Sequence, residues 1–185
     1  MNIVVAGAGA GKTTSMAEVV ISRLKKEFTN GKIIYVISYT NSARERIREK
    51  IIENEGSIPK QVKVETIHSF LLREIIYPFN HLIYGYIYKS ASQIPLSSNH
   101  IFKSIKKKEL REGNIIHVED VTKTAKYLLY GKSNDTKKIK LRRKNALRMI
   151  SRYLDSIFVD ESQDMDNEFS KVLSMLNHYN ISVNR

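Results

Sequence analysis

The sequence of 185 residues contains no cysteine, which excludes a disulfide-stapled fold and a metal site built on thiolates. It also lacks an apolar run long enough to cross a membrane, and its apolar start is too short and too rich in glycine for a signal peptide. Internal repeats and low-complexity segments are absent. With 42% hydrophobic and 27% charged residues, the composition is that of a globular protein. We therefore expect a folded cytoplasmic protein with no membrane association, made of one domain or one domain with an insertion.

Acidic residues are also scarce relative to basic ones, and the net charge is +12. The imbalance is concentrated in residues 101–150, which carry a balance of +10, whereas residues 151–185 carry −3. The strongest basic runs are Lys106-Lys107-Lys108 and Arg142-Arg143-Lys144. This pattern indicates a polyanion as partner, nucleic acid first, although a solvated lysine-rich surface gives the same charge pattern.

The N-terminal stretch reads MNIVVAGAGAGKTTSMAEVV. Met1 to Val5 is predicted to be a buried strand, and an amphipathic helical pattern follows the small-residue loop from Thr13 to about Phe28. A loop of Gly and Ala that ends in Lys-Thr between a strand and a helix is typical of a phosphate-binding loop. A chance Gly/Ala turn is the alternative, and the flanking strand and helix argue against it.

The residue types of this loop explain its predicted chemistry. Glycines let the backbone N–H groups surround a phosphate, and the helix N-terminus adds free donors and a positive dipole end. Lys12 is placed to reach the β- and γ-phosphates, Thr13 to offer its hydroxyl to Mg²⁺, and Thr14 to approach the α-phosphate. The loop is therefore predicted to bind a nucleoside triphosphate with Mg²⁺, through Ala6, Gly7, Ala8, Gly9, Ala10, Gly11, Lys12, Thr13 and Thr14.

The next segments predict a parallel sheet. Ile33 to Ser38 is a nearly continuous apolar strand, and with the preceding strand and helix it forms a βαβ unit. A helix is predicted over Ala43–Glu53 with Asn41 or Ser42 as its N-cap, followed by a short strand over Val62–Glu65.

From Pro78 to about Tyr153 the character of the sequence changes. Helical patterns near 99–112, 118–130 and 137–154 predict a mainly helical basic insertion. A cluster of aromatic residues precedes them, and we favour core packing over base stacking for its members: Tyr77, Phe79, Tyr84, Tyr86 and Tyr88.

The sheet returns at Ser156 to Val159, and an acidic segment, Asp-Glu-Ser-Gln-Asp, follows it directly. In a phosphate-loop ATPase, an acidic pair at the end of such a strand carries the metal and water chemistry. Asp160 is predicted to hold Mg²⁺, and Glu161 to orient or deprotonate the attacking water. Helix capping is the alternative role for acidic residues here, and it suits Asp164 or Asp166 better than Asp160.

Four segments together resemble the N-terminal ATPase domain of the UvrD/Rep-like superfamily 1A helicases: AGAGAGKTT, VISYTNSARERIREKI, VETIHSF and IFVDESQDMD. The resemblance implies an α/β fold, a P-loop NTPase (RecA-like) three-layer domain with a parallel central sheet. The implied divisions are residues 1–77 as the first part of this domain, 78–153 as a helical basic insertion like subdomain 1B, and 154–185 as the remainder.

The same resemblance implies residue roles. Lys12 and Glu161 are catalytic, and Gln163 senses the γ-phosphate and couples it to the DNA side. Backbone contacts to single-stranded DNA are implied for Thr40, Asn41, Thr66 and His68. Without the resemblance, a packing or capping role would be the better interpretation of His68.

The implied activity is that of an ATP-dependent DNA helicase, with ATP and Mg²⁺ as cofactors and 3′→5′ movement on single-stranded DNA. A second motor domain with further arginines would complete the site, so we expect this chain alone to unwind DNA weakly or not at all. The alternative is a nucleotide-gated helicase-like subunit of an anti-phage system that binds a nuclease or another subunit, because the segment REIIYPF resembles such subunits. A small-molecule kinase shares the phosphate loop but does not predict the other motifs.

Overall fold

The computed structural model describes residues 12–26, 31–160 and 165–184. The helices are α1 (Lys12–Lys26), α2 (Asn41–Glu55), α3 (Ile67–Phe70), α4 (Tyr77–Tyr84), α5 (His100–Glu112), α6 (Val121–Leu129), α7 (Lys137–Tyr153) and α8 (Asn167–His178). A π-helical segment (Leu71–Ile76) joins α3 to α4, and a 3₁₀ turn (Val118–Asp120) precedes α6. The strands are β1 (Ile33–Ser38), β2 (Val62–Thr66), β3 (Ser90–Ser92), β4 (Ile115–His117), β5 (Leu154–Val159) and β6 (Ser182–Asn184).

Four strands form a parallel sheet in the order β2-β1-β5-β6. Alternate residues of β1 face opposite sides of the sheet, and both Val36 and Ile37 are fully buried. Both faces of this strand are therefore covered, as expected for a parallel sheet. The predicted α/β class with a parallel sheet is confirmed. The predicted strand over Met1–Val5 lies outside the described residues.

Two helices cover one face of this sheet. Ala17 and Val20 of α1, together with Ile47 and Ile51 of α2, pack in one cluster with the same-face residues of the strands. That cluster is completed by Ile34, Val36, Val62, Val64 and Phe158. The helical spacing of these four residues brings them to one side of their helices, and burying them against the sheet is what stabilises α1 and α2.

Most predicted elements are confirmed, with differences at their ends. The N-cap of α2 is Thr40, not Asn41 or Ser42, because the Thr40 hydroxyl accepts the hydrogen bond of the Ala43 amide at 3.0 Å. Helix α4 contains Pro78 in its first turn, where a proline costs no helical hydrogen bond, and it runs to Tyr84. Strands β3 and β4, a parallel pair, were not predicted.

By contact clustering the chain divides into two compact units. The first comprises the described residues of Met1–Ile67, Leu147–Asp166 and Leu173–Arg185, and the second comprises His68–Ala146 and Asn167–Val172. In the second unit, α6 packs against the π-helical segment through buried residues such as Leu71, Ile75, Val121 and Leu128. The domain division drawn from the sequence, at 77/78 and 153/154, stays a prediction.

The aromatic cluster of the second unit is largely structural. Tyr88 and Phe79 are buried, and the Tyr84 hydroxyl donates to the Tyr127 carbonyl at 2.9 Å. Tyr86 contacts the edge of the Tyr88 ring with centroids 5.4 Å apart. The packing interpretation is thus confirmed for Tyr84 and Tyr88.

None of the described helices is both long enough and apolar enough to span a bilayer.

Candidate nucleotide and nucleic-acid site

The carboxyl ends of β2, β1 and β5 lie side by side at one edge of the sheet. Ser38, the last residue of β1, pairs in register with Thr66, the last residue of β2. On the other side Ile37 pairs with Val159, and the Asp160 amide donates to the Ile37 carbonyl at 2.9 Å. Ligands of open α/β sheets bind outside this carboxyl edge. Three segments predicted to be functional, at residues 40–41, 66 and 160, therefore converge on the edge where such sites form.

Thr40 and Asn41 stand where β1 turns into α2. Thr40 has an extended backbone (φ −121°, ψ 155°) and caps the helix, and its carbonyl accepts from the Arg44 amide at 3.0 Å. Asn41, the first residue of the helix, is exposed. The first turn of a helix leaves backbone N–H groups without helical partners, and these suit phosphate oxygens. The geometry is suited to backbone contacts with an anionic chain.

Thr66 and His68 stand where β2 turns directly into α3. Thr66 is half-buried and ends β2, whereas His68 is exposed two residues later. Both residues take part in interactions within the chain. Hydroxyl and imidazole groups suit the positioning of a phosphate backbone rather than the reading of bases. The DNA-binding roles of these two residues stay predictions.

Asp160 is the described residue whose chemistry suits a metal. Its side chain is buried at the end of β5, 8% exposed, and a carboxylate oxygen is a ligand that Mg²⁺ prefers. Within the described residues no group of three or more His, Asp or Glu side chains could hold a metal ion. One carboxylate fits a magnesium site that is completed by nucleotide phosphates and water, which is the usual arrangement for this ion.

Several predicted site residues lie outside what the structure describes. Helix α1 begins at Lys12, as the phosphate-loop interpretation requires, but the side chains of Lys12, Thr13 and Thr14 are not described. The loop residues Ala6, Gly7, Ala8, Gly9, Ala10 and Gly11 lie in the undescribed part, as do Glu161 and Gln163. Their roles therefore stay predictions.

One residue of this edge was not singled out from the sequence. The Ser38 side chain is fully buried, and its hydroxyl donates to the Thr40 carbonyl at 3.1 Å. This bond fixes the backbone at the start of α2, which orients the exposed turn of Thr40 and Asn41. A polar residue at the end of an otherwise apolar strand was the signal that could have identified it.

A surface depression between α1 and α2 is not part of this site. It is lined by residues that include Glu18, Lys25 and Glu55, and Lys25 and Glu55 are ion-paired at 2.7 Å. Glu55 is the last residue of α2, whereas the candidate site adjoins the first. The depression therefore lies at the opposite end of the helix.

Comparison with known proteins agrees with this geometry. The family model described as UvrD/REP helicase N-terminal domain matches residues 1–152. The matched range contains the predicted phosphate loop and both predicted DNA-binding segments, and it ends before β5 and Asp160. Among curated proteins no significant match is found. Because the match covers most of the chain, the chain belongs to the UvrD/REP helicase N-terminal domain family, which assigns it to the class of helicase ATPases that bind nucleotide and DNA.

Proposed function

We propose that this chain is the ATP-binding and ATP-hydrolysing part of a UvrD/Rep-like motor that acts on single-stranded DNA and moves 3′→5′. The observation that carries the proposal is the convergence of Thr40, Thr66 and Asp160 at the carboxyl edge of one parallel sheet. One edge then offers both an acidic residue for nucleotide chemistry and polar turns for a phosphate backbone. Family membership supports the same conclusion.

The reaction is ATP + H₂O → ADP + phosphate. The backbone N–H groups of the loop up to Gly11 would surround the phosphates, Lys12 would neutralise the β- and γ-oxygens, and Thr13 and Asp160 would hold Mg²⁺. The ion, when bound, neutralises the charge that develops on the phosphate oxygens. Glu161 accepts a proton from the attacking water.

The sheet couples this chemistry to the DNA side. Asp160 is hydrogen-bonded to β1 through the Ile37 carbonyl at 2.9 Å, and β1 leads directly into the turn capped by Thr40. A structural change at the nucleotide site can therefore be transmitted through β1 to the turn that is proposed to bind DNA. Gln163 contacts the γ-phosphate in this scheme and reports whether it is present.

The test measures Mg²⁺-dependent ATP binding and hydrolysis by the 185-residue chain, with and without single-stranded DNA. Lys12→Ala and Glu161→Gln are compared with wild type, and circular dichroism verifies that each variant is folded. We expect ATP binding with slow turnover, loss of binding in Lys12→Ala, and retained binding with lost turnover in Glu161→Gln.

The proposal fails if the folded wild-type chain binds no nucleotide, or if Lys12→Ala binds ATP as tightly as wild type. Directional movement is tested separately, by strand displacement from duplexes that carry a single-stranded tail at either the 3′ or the 5′ end. Displacement that starts only from a 5′ single-stranded tail would overturn the proposed polarity.

A further inference from the structure

Three helices of this chain are rich in basic residues, and the structure divides them into two kinds. Helices α2 and α5 carry acidic residues among the basic ones or contact acidic residues nearby. The pairs of α2 are Arg44–Glu45 at 2.8 Å, Arg48–Glu45 at 3.3 Å and Lys50–Glu53 at 2.6 Å. Those of α5 are Lys103–Glu119 at 2.8 Å, Lys106–Glu109 at 2.8 Å, Lys107–Asp120 at 2.7 Å and Lys108–Glu112 at 3.9 Å.

The run Lys106-Lys107-Lys108 therefore does not offer three free cations, although the sequence singled it out as a basic run. Each of its lysines is ion-paired within the chain, and the carboxylates of Glu119 and Asp120 raise the pKa of Lys107 against the opposing effect of burial. Local neutralisation weakens the attraction of α5 for a polyanion.

Helix α7 is different because its sequence, KKIKLRRKNALRMISRY, contains no acidic residue. Arg143 is buried and paired with Asp135. None of the other basic side chains of α7 forms an ion pair with any residue in the part of the chain that the structure describes. The second basic run, Arg142-Arg143-Lys144, is thus split between a structural arginine and two cations without ion-pair partners.

Three of these cations form one line along the exposed side of α7, which we call the α7 basic stripe: Lys137, Lys140 and Lys144. Their spacing of three or four residues keeps them on one helix face, and all three are exposed. Ala146, on the other side of the helix, is fully buried. With a rise of about 1.5 Å per residue, the stripe is roughly 10 Å long.

The stability of the helix does not account for the stripe. Lys137 and Lys140 lie in the first turn, where a positive charge opposes the helix dipole. Neighbours in the stripe are three or four residues apart, so their like charges repel one another. This arrangement costs helix stability unless an anion lies beside it.

We propose that the α7 basic stripe binds the sugar-phosphate backbone of a nucleic acid strand. Ammonium groups are compact charges that contact phosphates without reading sequence, and a row of about 10 Å lies alongside successive phosphates of such a chain. The proposal rests on the proposed function, since it adds a second contact for the same nucleic acid ligand.

The test uses the 185-residue chain and measures binding of a fluorescent oligothymidine strand and of a labelled duplex across a salt series. The stripe variant carries Lys137→Gln, Lys140→Gln and Lys144→Gln. The matched control carries Lys103→Gln, Lys106→Gln and Lys108→Gln, which removes the same charge from ion-paired positions. Circular dichroism verifies that both variants are folded.

We expect the stripe variant to lose about tenfold or more in affinity at low salt. The slope of log K against the logarithm of the salt concentration should decrease in magnitude by about 2. Each lost phosphate contact to a single strand removes about 0.7 from this slope, and the variant loses three lysines. The control should keep the wild-type slope. A loss on the single strand, the duplex or both supports the proposal and identifies which form lies on the stripe.

Two results overturn the proposal while leaving the proposed function intact. Wild-type affinity and slope in the stripe variant would mean that α7 faces another anion, such as an acidic polypeptide. Equal losses in both variants would mean that only net charge matters. If the folded wild-type chain binds neither nucleic acid, the proposed function and the stripe fail together.

Discussion

The guanidinium of Arg143 and the carboxylate of Asp135 form a buried ion pair in the second unit, with side chains 9% and 4% exposed. Arg143 Nε also donates to the Leu128 carbonyl at 3.0 Å. Asp135 Oδ2 also accepts from the Lys132 amide at 2.7 Å. The pair therefore connects α7 to the end of α6 and to the loop between the two helices, so it fixes the start of the helix that carries the basic stripe.

Removing the carboxylate from this pair should strongly destabilise the protein. Asp135→Asn leaves the Arg143 charge buried without a counter-charge, which costs about 3 kcal/mol of unfolding free energy. Urea unfolding followed by circular dichroism measures the loss. The control Glu109→Gln removes the exposed partner of Lys106 and should change stability by less than about 1 kcal/mol. Equal effects in the two variants would contradict a structural role for the buried pair.

The contribution of Asp135 should also depend on pH. Burial alone would raise its pKa, but the hydrogen bonds from the Lys132 amide and from Arg143, together with the charge of Arg143, hold it below the ordinary value of 3.8. A depressed carboxyl pKa stabilises the folded state fully above the ordinary value, and this stabilisation is lost as the pH falls through the folded-state value.

The difference in unfolding free energy between wild type and Asp135→Asn should therefore be constant near neutral pH and shrink below pH 3.8. Urea unfolding in a series of buffers from about pH 7 to about pH 2 measures it. A difference that stays constant or widens as the pH falls would show that the pKa of Asp135 is not depressed.

Gly131 should tolerate a side chain worse than other glycines that have a positive φ. Its φ is +102°, and an added Cβ would lie 2.7 Å from Arg143 Nη1 and 2.8 Å from Cζ. The guanidinium cannot move aside without breaking its bond to Asp135. We expect Gly131→Ala to cost about 3 kcal/mol, from backbone strain and overpacking together.

The control for this variant is Gly56→Ala. Gly56 ends α2 with φ +75°, and an added Cβ would meet nothing within 4 Å, so only the backbone strain of about 1 to 2 kcal/mol applies. Thermal unfolding of both variants gives the comparison. If they lose the same stability, the Arg143 side chain adapts and the ion pair is not rigid.

The elements of the sheet could be predicted because their signals are local. Ile33 to Ser38 is apolar on both faces, and the covered strand follows from that pattern. The short pair β3 and β4 could not be predicted, because three residues such as Ser90–Ser92 carry no periodic pattern and owe their pairing to the surrounding fold.

Which basic side chains are ion-paired also could not be predicted from the sequence. Runs of lysine were visible in the sequence, but their availability was not. Lys107 is paired with Glu119 and Asp120, twelve and thirteen residues further along the chain, and Arg143 is buried beside Asp135. Such pairs depend on tertiary contacts, so only the structure could separate the neutralised run on α5 from the cations on α7 that have no ion-pair partner among the described residues.

The last prediction concerns the metal role of Asp160. Asp160→Asn removes the charge that suits Mg²⁺ but keeps the size of the side chain. The backbone amide of residue 160 still donates its hydrogen bond to the Ile37 carbonyl. The variant should therefore fold normally, bind ATP without Mg²⁺ as wild type does, and lose the gain in affinity that Mg²⁺ provides. Titration of a fluorescent ATP analogue with Mg²⁺ and with a chelator measures this gain. The control Asp166→Asn changes an exposed carboxylate outside the Asp-Glu-Ser-Gln-Asp segment and should keep the gain in affinity that Mg²⁺ provides. An unchanged gain in Asp160→Asn would exclude Asp160 as the metal ligand.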